Sequence, residues 1–321
     1  MPILLKELVR RIPVETETLV SRTRTRYNAM IRRILRTESG LRLSSGGTSD
    51  DEDRDGHSVK IRVVPGLPAE LEHVAFDDDK WLAILLAPWK STLSSLHLGL
   101  EEIDKELLPS LLVRPDQRTR FPNLEESVMI TNRFVETLLK DAVAFDLVKE
   151  IHSIEDDILG RYSYRVTPFT GDVTEATIDL YWGVIGLVAR ALGVSIEGLT
   201  VKVLAHELAH AYTHLGADIG GDRWDAGLFA KADRRLKEGL AQYYTTRVVE
   251  RMRSQIPEAE IAYKKLLPIQ PEAYRTHVSW VEGGRSPEEI RFAMISLRRQ
   301  RKSTLSEFSE ALETAEKGLR S

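Results

Sequence analysis

The sequence contains no cysteine at all. That excludes thiol nucleophiles, thiolate-rich metal sites and disulfide staples together. Long hydrophobic runs are missing too. The most apolar stretch, residues 180–189, stops at Arg190 and is too short to cross a bilayer. Near the N-terminus, Lys6, Glu7 and the Arg10–Arg11 pair interrupt any apolar segment, so no signal peptide is predicted and a cytoplasmic location is expected. An excess of one charge is also lacking. With 45 basic against 49 acidic residues, the net charge of -4 gives no global attraction to nucleic acid or to an anionic membrane. No repeat of fixed period is visible. Function must therefore reside in local features.

What is present suffices for a folded core: 321 residues, 42% of them hydrophobic. Residues 1–37 read as a basic amphipathic helical segment interrupted near Pro13, its charges forming a solvated face. Residues 38–58 are rich in Ser, Gly and Asp and read as a flexible linker. The rest, 59–321, reads as one domain with a helical C-terminal part. Within it, Val59–Val64, Tyr162–Thr167 and Ala176–Trp182 have strand character, whereas residues 79–152 and those from Gly183 onward are mainly helical. The expected class is α+β, mainly helical, with a small sheet. Asp77–Asp79 are expected to cap a helix, and the basic run from Arg291 to Lys302 to be an exposed helix face.

Chemistry concentrates in Thr200–Leu215, which reads TVKVLAHELAHAYTHL. Val201, Leu204, Leu208, Ala211 and Leu215 recur at helical spacing and predict a helix with that stripe buried. His206 and His210 then project from the same face one turn apart, placed for two imidazole nitrogens to reach one Zn²⁺. Glu207, beside His206, is positioned to reach a water in an open coordination position rather than to act as a ligand. The site needs a third ligand. His214 continues the spacing, but it lies eight residues from His206, about 12 Å along the axis. Ligand atoms around one zinc lie within about 3–4 Å of each other, so His214 is a poor co-ligand. The loop residues Asp218, Asp222 and Asp225 are alternatives. A better candidate is Glu238, on a helix predicted over Phe229–Met252. It falls off the apolar stripe, among Ala241, Gln242 and Thr245, with small Gly239 beside it allowing close approach to the metal-bearing helix. Asp222 is held in reserve. His152 with Glu155, Asp156 and Asp157 reads better as a helix surface than as a second metal site. The Gly220–Gly221–Asp222 loop lacks EF-hand spacing and reads as a mobile cleft rim.

These residues resemble the zincin metallopeptidases, in particular the gluzincin branch, over about residues 200–245. The resemblance implies a zincin-like core, zinc held by His206, His210 and Glu238, and Glu207 as general base. It also implies that an edge strand aligning the substrate corresponds to a candidate such as Ala176–Trp182. One departure is Gln242, which stands where thermolysin-like members carry an Asp that orients a zinc-bound histidine. The expected substrate is a peptide or protein, with Tyr243, Tyr244, His214 and His277 as candidates to stabilise the oxyanion. Two other functions remain compatible with this pattern: a partner-binding protein that keeps the scaffold, and a zinc hydrolase acting on other amides or esters.

Overall fold

The computed structural model describes residues 3–43, 59–111, 123–154 and 158–319. Its fold is α+β and mainly helical, with one small three-stranded sheet. The strands are β1 (Val59–Val64), β2 (Gly160–Val166) and β3 (Val173–Tyr181), in the order β1-β3-β2. β1 runs parallel to β3, pairing Val59 with Ala176, and β2 runs antiparallel to it, pairing Gly160 with Leu180. β3 is therefore the central strand, buried at Ala176, Ile178 and Leu180. The edge-strand role expected for Ala176–Trp182 is not available to it. Periodicity locates strands, but their lateral order depends on the crossovers, which a single sequence does not encode. On the side toward the histidine helix the edge is β2.

That helix, here α8 (Ile196–Leu215), is the hub of the molecule. Ser195 caps its start by accepting a hydrogen bond from the Gly198 amide at 3.1 Å. Every residue from Gly198 to Leu215 is buried, so the helix is enclosed all round rather than along the single predicted stripe. Gly198 allows one of these close approaches: a Cβ there would lie 2.4 Å from the Glu258 carbonyl oxygen, at the start of helix α11 (Pro257–Leu266).

Several other helices complete the enclosure. Helix α2 (Glu15–Ser39) buries Val20, Tyr27, Ile31 and Leu35 on one face, packed against α8. Tyr212 of α8 donates a hydrogen bond to the Arg32 carbonyl at 3.0 Å. The basic N-terminal segment thus shares the core, and two of its charges, Arg24 and Arg32, donate to the Ile61 and Val59 carbonyls at 3.0 and 3.3 Å. At its end Glu38 is buried and takes Arg247 and Arg251, each at 3.0 Å. Residues 38–43, assigned above to a linker, are described and packed, with Leu41 and Leu43 buried; the remainder, 44–58, lies outside the described residues.

The predicted helix over Phe229–Met252 is two helices, α9 (Ala226–Lys231) and α10 (Arg234–Arg251). Asp233 separates them by capping α10, its carboxylate accepting from the Arg235 amide at 2.8 Å. α10 packs against α8 on one side and against α12 (Glu272–Glu282) on another. Gly239 serves the α12 contact, not the approach to α8: a Cβ there would meet the Trp280 ring at 2.8 Å.

Two smaller expectations also change. Asp77 occupies the N-cap position of helix α3 (Asp78–Leu86), but its side chain makes no capping bond. The basic run Arg291–Lys302 is not a free face. From α13 (Pro287–Arg299), Arg291 donates to the Glu38 and Thr37 carbonyls, and buried Arg298 to the carbonyls of Gly216 and Asp222. No helix among the described residues is long and apolar enough to cross a membrane.

Candidate metal centre

His206 and His210 sit on consecutive turns of α8, with their Nε2 atoms 3.2 Å apart and their rings nearly perpendicular at 85°. Glu238 projects from α10 and places Oε2 at 3.2 Å from His206 Nε2 and 3.3 Å from His210 Nε2. All three side chains are buried. Among the described residues this is the one group of three or more metal-ligating side chains gathered closely enough to hold an ion.

The size of the triangle tests its fit to a metal. Ligand atoms about 2.0–2.1 Å from a tetrahedral ion lie roughly 3.3–3.4 Å from one another. The observed edges of 3.2, 3.2 and 3.3 Å match one face of such a tetrahedron and leave the fourth position free. Protonation suits binding as well. Burial holds His206 down to about 3, so its imidazole is neutral with a lone pair to give. For Glu238, burial pushes upward, but the two imidazoles against its carboxylate outweigh burial and hold it below the usual carboxylate range. The set of donors, two imidazole nitrogens and one carboxylate oxygen, is the kind borne by catalytic rather than structural zinc.

Glu207 is buried next to the triangle but is not part of it. The first residue of β2 fixes its position. A Cβ at Gly160 would lie 2.8 Å from Val203 Cγ1, 3.0 Å from Glu207 Cγ and 3.2 Å from Glu207 Oε1. Gly160→Ala is therefore expected to displace Glu207 and cost about 1–3 kcal/mol of stability. A thermal melt compared with wild type checks this, and an unchanged melting temperature would show that the contact yields freely.

Aromatic side chains wall the triangle. Tyr274 of α12 stacks on His206 with centroids 5.3 Å apart, and Tyr162 of β2 lies parallel to His210 at 6.5 Å. Tyr162 and His214 are hydrogen-bonded at 2.8 Å, and His214 stacks on Phe229. His214 is thus part of the wall, not a ligand. His277 Nδ1 faces the Tyr274 carbonyl at 3.0 Å, so Nδ1 carries the proton and Nε2 accepts from the Tyr263 hydroxyl at 2.7 Å. Burial holds His277 down to about 4, consistent with that neutral form. Its role is to brace Tyr274 and Tyr263.

The other candidates lie elsewhere. Tyr243 and Tyr244 turn to a different side of α10 from Glu238. Tyr243 meets Tyr244 edge-on with centroids 5.3 Å apart, and Tyr244 is buried with its hydroxyl against Met294 Sδ at 3.6 Å. The oxyanion role expected of them would need them on the face of Glu238, whereas five or six residues further on a helix has rotated well over 100° away. Gln242 does share the face of Glu238, but it donates its amide to Gln270 at 2.7 Å instead of orienting a histidine. The reserve ligands are occupied too. Asp218 and Asp222 pair with Arg299, Asp218 also accepting the Gly220 and Asp222 amides, and Asp225 caps α9. The loop read as a mobile rim is thereby tied to α13. Glu155, Asp156 and Asp157 lie outside the described residues, whereas His152 is buried.

One charged residue at the site went unnoticed in the sequence. Lys202 is buried on α8 one turn before His206, and burial holds it down to about 8 against the pull of Glu207 and Glu238. The signal was available: positions 202, 206 and 210 continue one helix face, and a lysine there interrupts an otherwise apolar segment. Tyr162 and Tyr274 left no comparable trace, since their approach depends on how β2 and α12 pack. No family model matches the sequence, and no curated protein and no solved structure matches it either.

Proposed function

We propose that the chain is a zinc-dependent metallopeptidase, with His206, His210 and Glu238 holding the ion and Glu207 as the general base. The observation that carries this reading is the near-equilateral ligand triangle with a buried carboxylate beside it that is not itself a ligand. A zinc ion held by these three residues would supply Lewis acidity and make water more acidic. Glu207 takes a proton from the attacking water and delivers it to the nitrogen of the leaving amine. Tyr162, Tyr274 and the apolar packing of α8 exclude bulk solvent, which strengthens each of these electrostatic contacts.

The peptide class is supported by β2. It is an edge strand of the described sheet and begins against Glu207, so an extended backbone can pair with it next to the base. In this role β2 replaces the central β3. The test is to incubate the zinc-loaded chain with a mixed peptide library and read the products by mass spectrometry. Internal or terminal amide cleavage is expected, lost on chelation and restored by zinc. Intact peptides in the presence of one bound zinc per chain would overturn the reading.

A further inference from the structure

The outer face of α13 carries a cavity that shares no residue with the metal centre. Its volume is about 470 Å³, and its wall includes Glu288, Arg291, Phe292 and Ile295 along the helix, with Ile219 of the loop after α8 opposite. That volume falls among small-molecule sites, which span about 300–1,000 Å³ and are mostly apolar with a few polar groups. Both walls are held in place. On its other face α13 buries Ile290, Ala293, Met294 and Leu297 in the core. The loop is braced by Asp218, which accepts the Gly220 and Asp222 amides at 2.8 and 3.0 Å and pairs with Arg299 at 2.9 Å. Across this trough Phe292 is 48% exposed and Ile219 95%, so two large apolar side chains meet solvent in one place.

Four charged side chains line the cavity, and two of them answer each other. Asp218 is buried and neutralises Arg299, which also meets Asp222 at 3.4 Å. Arg291 differs. It donates Nε to the Glu38 carbonyl and Nη2 to the Thr37 carbonyl, each at 3.0 Å, so neutral acceptors fix its guanidinium and leave its charge in place. Glu288 is exposed and stands one turn earlier on the same helix, about 4.5 Å along the axis. Its neighbour Glu289 is the carboxylate that the Ser286 capping box takes up. One fixed cation and one acid therefore share a lip beside the apolar floor. An apolar anion there would be attracted by Arg291 and opposed by Glu288, and an apolar cation the reverse. A ligand carrying both charges close together satisfies both.

We propose that this trough binds a free α-amino acid with a large apolar side chain. Its α-ammonium meets Glu288, its α-carboxylate meets Arg291, and its side chain lies over Phe292, Ile295 and Ile219. The two charges of an amino acid sit on one carbon and suit the one-turn spacing of Glu288 and Arg291. Each further residue of a peptide would move its charged ends apart by up to about 3.3–3.6 Å. The site needs neither zinc nor turnover and does not rest on the peptidase reading.

The probe is L-phenylalanine, titrated calorimetrically into the full chain. The comparisons are N-acetyl-L-phenylalanine, which lacks the ammonium, L-phenylalanine amide, which lacks the carboxylate, and L-alanine, which keeps both charges on a small side chain. Phenylalanine is expected to bind tenfold or more tightly than each of the three. Glu288→Gln should bring its affinity to within threefold of that of the acetylated form, and Phe292→Ala should weaken it fivefold or more. Both positions are exposed, so the variants leave the core of α13 intact. Arg291 is left alone because its bonds to the Thr37 and Glu38 carbonyls join α13 to α2. No heat of binding for phenylalanine overturns the proposal, as does equal binding of either blocked form or of alanine. Unchanged affinity in Glu288→Gln or in Phe292→Ala also overturns it, since the ligand would then sit elsewhere, the metal centre included. A chain that binds phenylalanine as described but cleaves no peptide would keep this site and remove the peptidase reading.

Discussion

Glu207→Gln is expected to lower turnover by on the order of 10²–10⁴-fold while leaving the metal in place. The amide matches the carboxylate in size, so the close packing of Gly160 on this side chain is preserved. What is lost is the proton acceptor. Because Glu207 lies outside the ligand triangle, zinc content should stay at the wild-type level. A thousandfold loss corresponds to about 4 kcal/mol of transition-state stabilisation. Rates on any cleaved peptide together with metal analysis check the prediction. Near-normal turnover would assign the proton transfer to another group, and loss of metal would make Glu207 a ligand.

Glu238→Ala is expected to weaken zinc binding roughly a hundredfold. Sites that bind zinc with about 10–16 kcal/mol through four ligands derive about 3 kcal/mol from each. Removing this one also leaves two buried imidazoles 3.2 Å apart with no carboxylate to complete their coordination. Asp222→Ala is the matched control, since Asp222 belongs to the loop held by α13 and should leave affinity unchanged. Competition against a chromophoric chelator measures both. If the Asp222 variant loses affinity and the Glu238 variant does not, the third ligand has been assigned to the wrong helix.

Much of this centre was legible before any coordinates. The four-residue spacing of His206 and His210 is a property of the α-helix itself. The distance argument against His214 depends on the same rise per residue, and the structure places that ring against Tyr162 and Phe229. Glu238 could be singled out because it left the apolar stripe of its own helix while its neighbours stayed small. The features that escaped are those set by packing between distant segments. Gly239 reads as an opening toward α8, yet its space is filled by Trp280, 41 residues further on. Tyr243 and Tyr244 are close to Glu238 in sequence but turned away from it around α10. Arg298 resembles any surface arginine until the carbonyls of Gly216 and Asp222 are seen to converge on it. The N-terminal helix α2 looked like a solvated basic segment because its charges are conspicuous, whereas Val20, Tyr27, Ile31 and Leu35 mark its buried side more quietly.

Lys202 lies between these cases. Its position on the histidine face follows from the sequence, but only the structure shows that it is buried. A charge kept on so buried a helix, one turn from two histidines that could hold a metal ion, comes at a cost to stability, as at many functional sites.

The central claim is that His206, His210 and Glu238 form a metal centre, and metal analysis of the full chain purified without chelator and equilibrated with zinc tests it most directly. One zinc per wild-type chain, falling well below one in His206→Ala under the same conditions, is the predicted result. A wild-type chain that retains no zinc, or a His206→Ala chain that retains as much as wild type, would contradict it.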